Sequence, residues 1–107
     1  MGDYGKGSGP PHFDGKNYPM WERRMGAFLR GKGTLIWEVT QNPHYVIPDS
    51  FLLPGSQDMC EANSKAVDYL FRALCASEFE RVYGENVAEM IWLKLRNAHV
   101  GNAQVQA

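Results

Sequence analysis

Residues 10–33 read PPHFDGKNYPMWERRMGAFLRGKG, and how this stretch folds decides how the rest must pack. Proline suits the first turn of a helix and biases the residue before it toward extended backbone. The sequence therefore predicts a helix that begins near Pro19 and leaves Tyr18 outside. From there Trp21, Met25, Phe28 and Leu29 recur at i, i+4, i+7 and i+8, one apolar face of an α-helix. Glu22, Arg23, Arg24 and Arg30 fall elsewhere on the wheel, and Gly31-Lys32-Gly33 reads as the stop. Ahead of the helix, Asp14-Gly15 offers a turn in which glycine is free to take positive φ. That turn carries Phe13 back over the helix. Phe13, Tyr18 and Trp21 then read as an anchor pinning an N-terminal arm to the core, rather than as a ligand site.

Working outward, residues 34–40, TLIWEVT, are β-branched but have no evident partner strand; a short helix or extended segment laying Trp37 into the core is expected. Residues 41–57 contain three prolines and form a long connection with embedded apolar side chains, Tyr45, Val46, Ile47, Phe51, Leu52 and Leu53. A second long helix is expected from Ser56–Asp58, where either terminal residue can cap it. Its stripe is Met59, Ala62, Ala66, Leu70, Ala73 and Leu74. The phase breaks near Ser77, and Ser77-x-x-Glu80 has capping-box spacing, so a short helix holding Phe79, Val82 and Tyr83 should run to Gly84. Asn86-x-x-Glu89 is a second cap-like signal. The last helix is expected over 87–99, with Val87, Ile91, Leu95 and Ala98 on one stripe and Trp92 beside it.

The expected architecture is all-α: a small bundle of four to five helices with an extended N-terminal arm and a long Pro-rich loop. Its domain spans 13–101, between a flexible tail over 1–12, rich in glycine and proline, and a frayed end over 102–107. The expected core is Phe13, Tyr18, Trp21, Met25, Leu29, Trp37, Leu70, Leu74, Trp92 and Leu95.

The 107 residues suit one domain with one core, and the net charge of -1 provides no global basic field to draw in nucleic acid or an anionic membrane. No apolar run approaches the ~18 residues of a membrane span, and the N-terminus lacks the apolar stretch of a signal peptide. The expected location is cytoplasmic or nuclear. On one continuous helix Cys60 and Cys75 would lie ~22 Å apart, too far for a disulfide, and no C-x-x-C points to zinc. Both read as free thiols.

Enzyme chemistry finds no local motif: there is neither G-x-S-x-G nor H-E-x-x-H. The GKGSG of residues 5–9 lacks the spacing of a phosphate loop. Glu78/Glu80 and Glu85/Glu89 read as helix N-terminal charge, and His99 as a residue complementing a helix C-terminus. Trp21, Trp37 and Trp92 each sit on or beside an apolar stripe and read as core. The sequence therefore leads us to expect a non-enzymatic domain with no catalytic residue, metal, cofactor or small-molecule substrate. Arg23, Arg24, Arg30 and Lys32 are candidates for phosphate contacts, although the balanced charge implies little or no nucleic-acid affinity. Tyr45, Ile47, Phe51 and Leu52, in the Pro-rich loop, are the candidate surface for a protein partner.

The order of these signals is more specific than any one of them. Phe13-x-Gly15-x-Asn17-Tyr18-x-x-Trp21-x-x-x-Met25-x-x-x-Leu29, followed by Leu35-Ile36-Trp37-Glu38-Val39, resembles the start of Gag polyproteins of copia-type LTR retrotransposons, particularly those of plants. Ala73-Leu74, Phe79, Val82 and Ala88-Glu89-x-x-Trp92-x-x-Leu95-x-x-x-His99-x-Gly101 resembles the stretch before that family's second lobe. The likeness runs from about Phe13 to Gly101. It implies a capsid-like helical module that associates with copies of itself to build a shell around element RNA, with the motif residues acting structurally. Such Gags often carry a downstream C-x2-C-x4-H-x4-C zinc knuckle, and neither cysteine of this chain belongs to one. The resemblance thus implies an N-terminal lobe, either as a piece of a longer Gag or as a short domesticated relative. In the second case it would serve as an interaction module for a heterologous host or pathogen protein.

Overall fold

A computed structural model describes residues 9–48 and 56–101. Among them the chain forms α1 (Tyr18–Lys32), α2 (Thr34–Gln41), α3 (Ser56–Ala73), α4 (Ala76–Phe79), α5 (Ala88–Arg96) and a π-helical turn, Asn97–Gly101. The fold is the all-α bundle that the apolar periodicity predicts. Phe51 and Leu52 lie outside the described residues, as do most of the expected tail and the C-terminal end.

The short α2 sits at the centre, packing on α1, α3 and α5, while α3 also packs on α5. Trp37 stands on this helix, so the 34–40 segment is helical. Thr40 is fully buried there, and its hydroxyl donates to the Ile36 carbonyl at 2.8 Å, which satisfies it without a partner helix. The core holds Met25, Leu29, Val39, Ala66, Leu70, Ala73, Ile91 and Leu95, all closed to solvent. Phe13, Tyr18, Trp21, Leu74 and Trp92 are also buried. Trp37 departs from the expected core: it is half-buried and packs against the core's edge.

The arm is tied to the end of α3 by backbone pairing. Phe13 N–H donates to the Ala73 carbonyl at 2.7 Å, and Cys75 N–H donates to the Phe13 carbonyl at 3.0 Å. The Ala73 carbonyl, at the C-terminal end of α3, would otherwise lack an intrahelical partner.

Several boundaries differ from the expected ones for local reasons. α1 includes Tyr18, because Asn17 makes the turn in the left-handed region (φ 54°) and Pro19 tolerates the second helical position, where its missing N–H costs nothing. The helix continues through Gly31 to Lys32, and Gly33 alone separates it from α2. α4 is preceded by Cys75, not Ser77: the pairing with Phe13 holds Cys75 extended, so Ala76 is the first residue free to turn. Glu80 falls outside that helix, and Tyr83 is exposed instead of packed. α5 follows Val87, not Asn86, and stops at Arg96 before the π turn.

Candidate functional site

Two constructions bring sequence-distant residues together. The first is the junction where the arm meets the C-terminal turn. Phe13 stacks on Trp21, with centroids 4.7 Å apart, and meets Tyr18 edge-on at 5.8 Å. Trp21 Nε1 donates to the Pro11 carbonyl at 2.9 Å, so the arm is engaged two residues before Phe13, inside the segment expected to be tail. His99 closes the cluster from the far end of the chain, its ring edge-on to Phe13 at 5.0 Å and stacked on Tyr18 at 5.5 Å.

Beneath it lies Glu78. Its carboxylate is 2.8 Å from His99 Nε2 and 3.2 Å from Arg81 Nε, and the residue is buried. Both residues lie where the sequence places them, Glu78 in the first turn of α4 and His99 in the last turn of the π-helical segment. Beyond that, each is the other's side-chain partner, and Glu78 is buried. Gly15 makes room for this arrangement. It holds φ +93°, and a Cβ there would meet Glu78 Oε2 at 3.1 Å. The Tyr18 hydroxyl donates to Glu22 Oε2 at 3.1 Å. Burial, reinforced by the Glu22 charge, holds the Tyr18 pKa well above that of an ordinary phenol.

The second construction is an open cleft of about 530 Å³ between α1, α2 and α5. Trp37 and Trp92 contribute its aromatic wall, perpendicular to each other at 5.6 Å. The Arg30 guanidinium lies over the Trp37 ring, 4.9 Å from its centroid. Gly26 permits this close approach, since a Cβ there would stand 3.2 Å from the Trp37 ring and 3.4 Å from Arg30 Nη1. Arg96 reaches across from α5 and donates from Nε and Nη2 to Glu22 Oε2, at 3.3 and 3.0 Å. That hydrogen bonding to Glu22 raises the Arg96 pKa further. Arg23 also lines the cleft. Among the described residues neither Arg23 nor Arg30 has an ion-pair partner.

The phosphate-contact candidates therefore divide. Arg23 and Arg30 share the cleft, Arg24 lines a separate groove with Met20 and Lys16, and the Lys32 ammonium lies over the Phe28 and Tyr69 rings. The described half of the partner surface divides as well. Tyr45 packs against the core, its hydroxyl shielded from solvent with no hydrogen-bond partner among the described residues. Burial, with Cys60 beside it, raises that phenol's pKa. Tyr45 is thus half-buried, its ring against the core. Ile47 is half-buried in a groove with Val67 and Phe71, and Val46 between them is exposed. Among the described residues, the large apolar side chains left open are Met20, Val46, Tyr83, Met90 and Leu93.

Sequence reasoning passed over Asn63, Gly26 and the inward role of Glu78. Asn63 is an amide on an otherwise apolar stripe position beside Ala62, a signal available in the sequence. Gly26, within an amphipathic helix, marks a close approach in the same way. Glu78 gave no such signal: Arg81 at i+3 is an ordinary local pair, and the second partner, His99, meets it only in the fold. Compared with protein-family models, curated proteins and solved structures, the chain matches none of them.

Proposed function

We propose that this chain is a non-enzymatic, capsid-like assembly domain of the kind with which copia-type Gag polyproteins begin, and that it works by self-association. One observation carries the reading. The two halves of the Gag-like pattern, 13–29 and 73–101, supply the same junction: Phe13, Tyr18 and Trp21 from one, His99 and Trp92 from the other. Residues that recur in such a pattern because they pack together account for its order and spacing without any ligand. Met90 and Leu93, one turn apart on α5 and both partly open, offer an apolar surface for a second copy. Light scattering and negative-stain microscopy across a concentration series test the proposal. Growth in mass that Leu93→Glu suppresses supports it, and a constant monomer mass opposes it.

A further inference from the structure

The cleft between α1, α2 and α5 borders the junction through Glu22 and Trp92, and beyond them its charges are arranged. Arg23 and Arg30 stand seven residues apart on α1, so they are stacked along one side of the helix, about 10 Å apart in rise. Glu22 neutralises Arg96, and nothing among the described residues neutralises the other two. The cleft is therefore a local excess of two permanent positive charges. Arg30 is also held in place: its guanidinium lies over the Trp37 ring, 4.9 Å from the centroid, and no ion pair among the described residues occupies it.

We propose that this cleft binds a small phosphorylated anion carrying more than one phosphate group. Paired guanidinium forks suit the several acceptor oxygens of phosphates, and a ligand spanning two turns of helix needs negative charge at both ends. The volume of about 530 Å³ is that of a small-molecule site. The remaining cations argue against a nucleic-acid track. Arg72, Arg81 and Lys94 are paired with Asp68, Glu78 and Glu85, the Lys32 ammonium lies over the Phe28 and Tyr69 rings, and Arg24 with Lys16 lines a separate groove, so none of these cations lines the cleft.

Titration calorimetry of the full chain with inorganic tripolyphosphate at low ionic strength tests this, with tryptophan emission followed in parallel because Trp37 and Trp92 line the cleft. One-to-one saturable binding is expected. It should weaken by at least about tenfold in R23A/R30A, since two charge-assisted contacts are lost. R30K should weaken it by a smaller factor, and R72A, on another face, should leave it unchanged. Circular dichroism establishes that each variant is folded. A nucleoside triphosphate arm tests whether a base adds affinity over tripolyphosphate; either result keeps the phosphate site, provided R23A/R30A removes the binding. A short single-stranded RNA should bind no more tightly than tripolyphosphate. Absence of saturable tripolyphosphate binding, undiminished binding in R23A/R30A, or tighter RNA binding that survives in that variant would each overturn the proposal.

Discussion

Asn63 caps a helix that begins twenty-five residues further along the chain: its Oδ1 accepts from the Ala88 N–H at 2.9 Å. Its Nδ2 donates in turn to the Asn86 carbonyl at 2.9 Å. One buried amide on α3 thus satisfies both a donor and an acceptor at the start of α5, whose own preceding residue, Val87, has no capping side chain. Asn63→Ala leaves two backbone groups unpaired in a partly dry place and should cost about 2 kcal/mol. Asn63→Asp keeps the acceptor, loses the donor and should cost less. Urea denaturation of the three proteins checks the order; equal stabilities would mean that water replaces the cap.

Trp21 carries the arm. It stacks on Phe13, touches Trp92 at 5.9 Å, is 4% exposed and holds the Pro11 carbonyl. Trp21→Ala should destabilise the domain by about 3–5 kcal/mol, a loss of side-chain burial and a cavity together. Trp21→Phe retains most of the stack but gives up the N–H, and should cost about 1–2 kcal/mol. Thermal unfolding measures both, and a loss under about 1 kcal/mol for the alanine variant would make Trp21 a surface contact.

Gly15 is a close approach between arm and core. Any side chain there meets strained backbone at φ +93° and the Glu78 carboxylate 3.1 Å from its Cβ. Gly15→Ala should therefore cost about 1–3 kcal/mol. It should also raise the hydrogen-exchange rate at the Phe13 and Cys75 amides, which hold the arm to α3. Unchanged exchange at those two amides would show that the arm tolerates the strain.

The Tyr18 phenol gives a pH signature. Its folded pKa is raised above the ordinary value near 10, chiefly by burial and then by Glu22, so the folded state holds this proton more tightly than the unfolded chain does. The stabilisation it contributes is complete below about pH 10 and declines as pH rises above that. Tyr18→Phe should lower stability at pH 8 by about 1 kcal/mol through the lost hydrogen bond to Glu22. It should also flatten the alkaline decline. Parallel curves for the two proteins between pH 9 and 11 would assign that decline to other groups.

Much of this fold was legible in residue spacing. The stripe Ala62, Ala66, Leu70 and Ala73 has helical periodicity, and all four side chains are buried on α3. The anchoring of Phe13 by a turn at Gly15 was legible too, because positive φ and an aromatic pair are local signals. The caps were not. Ser77 and Asn86 have the right residue types and spacing, but a backbone bridge to Phe13 sets the start of α4, and an amide from α3 sets the start of α5. Tertiary contacts override local capping preferences wherever they satisfy the same orphan groups. The cleft was half legible: Arg23 and Arg30 were singled out, while the stacking of Arg30 on Trp37 and the pairing of Arg96 with Glu22 required α2 and α5 to be placed. His99 was read from its helix alone, and its partners Glu78, Phe13 and Tyr18 come from three other parts of the chain.

Self-association is tested most directly by sedimentation velocity on the full chain from micromolar to millimolar concentration, with Leu93→Glu run alongside. Assembly through the open α5 surface predicts a sedimentation coefficient that climbs with concentration in the native protein and stays at the monomer value in the variant. A native chain that remains strictly monomeric at millimolar concentration would contradict it.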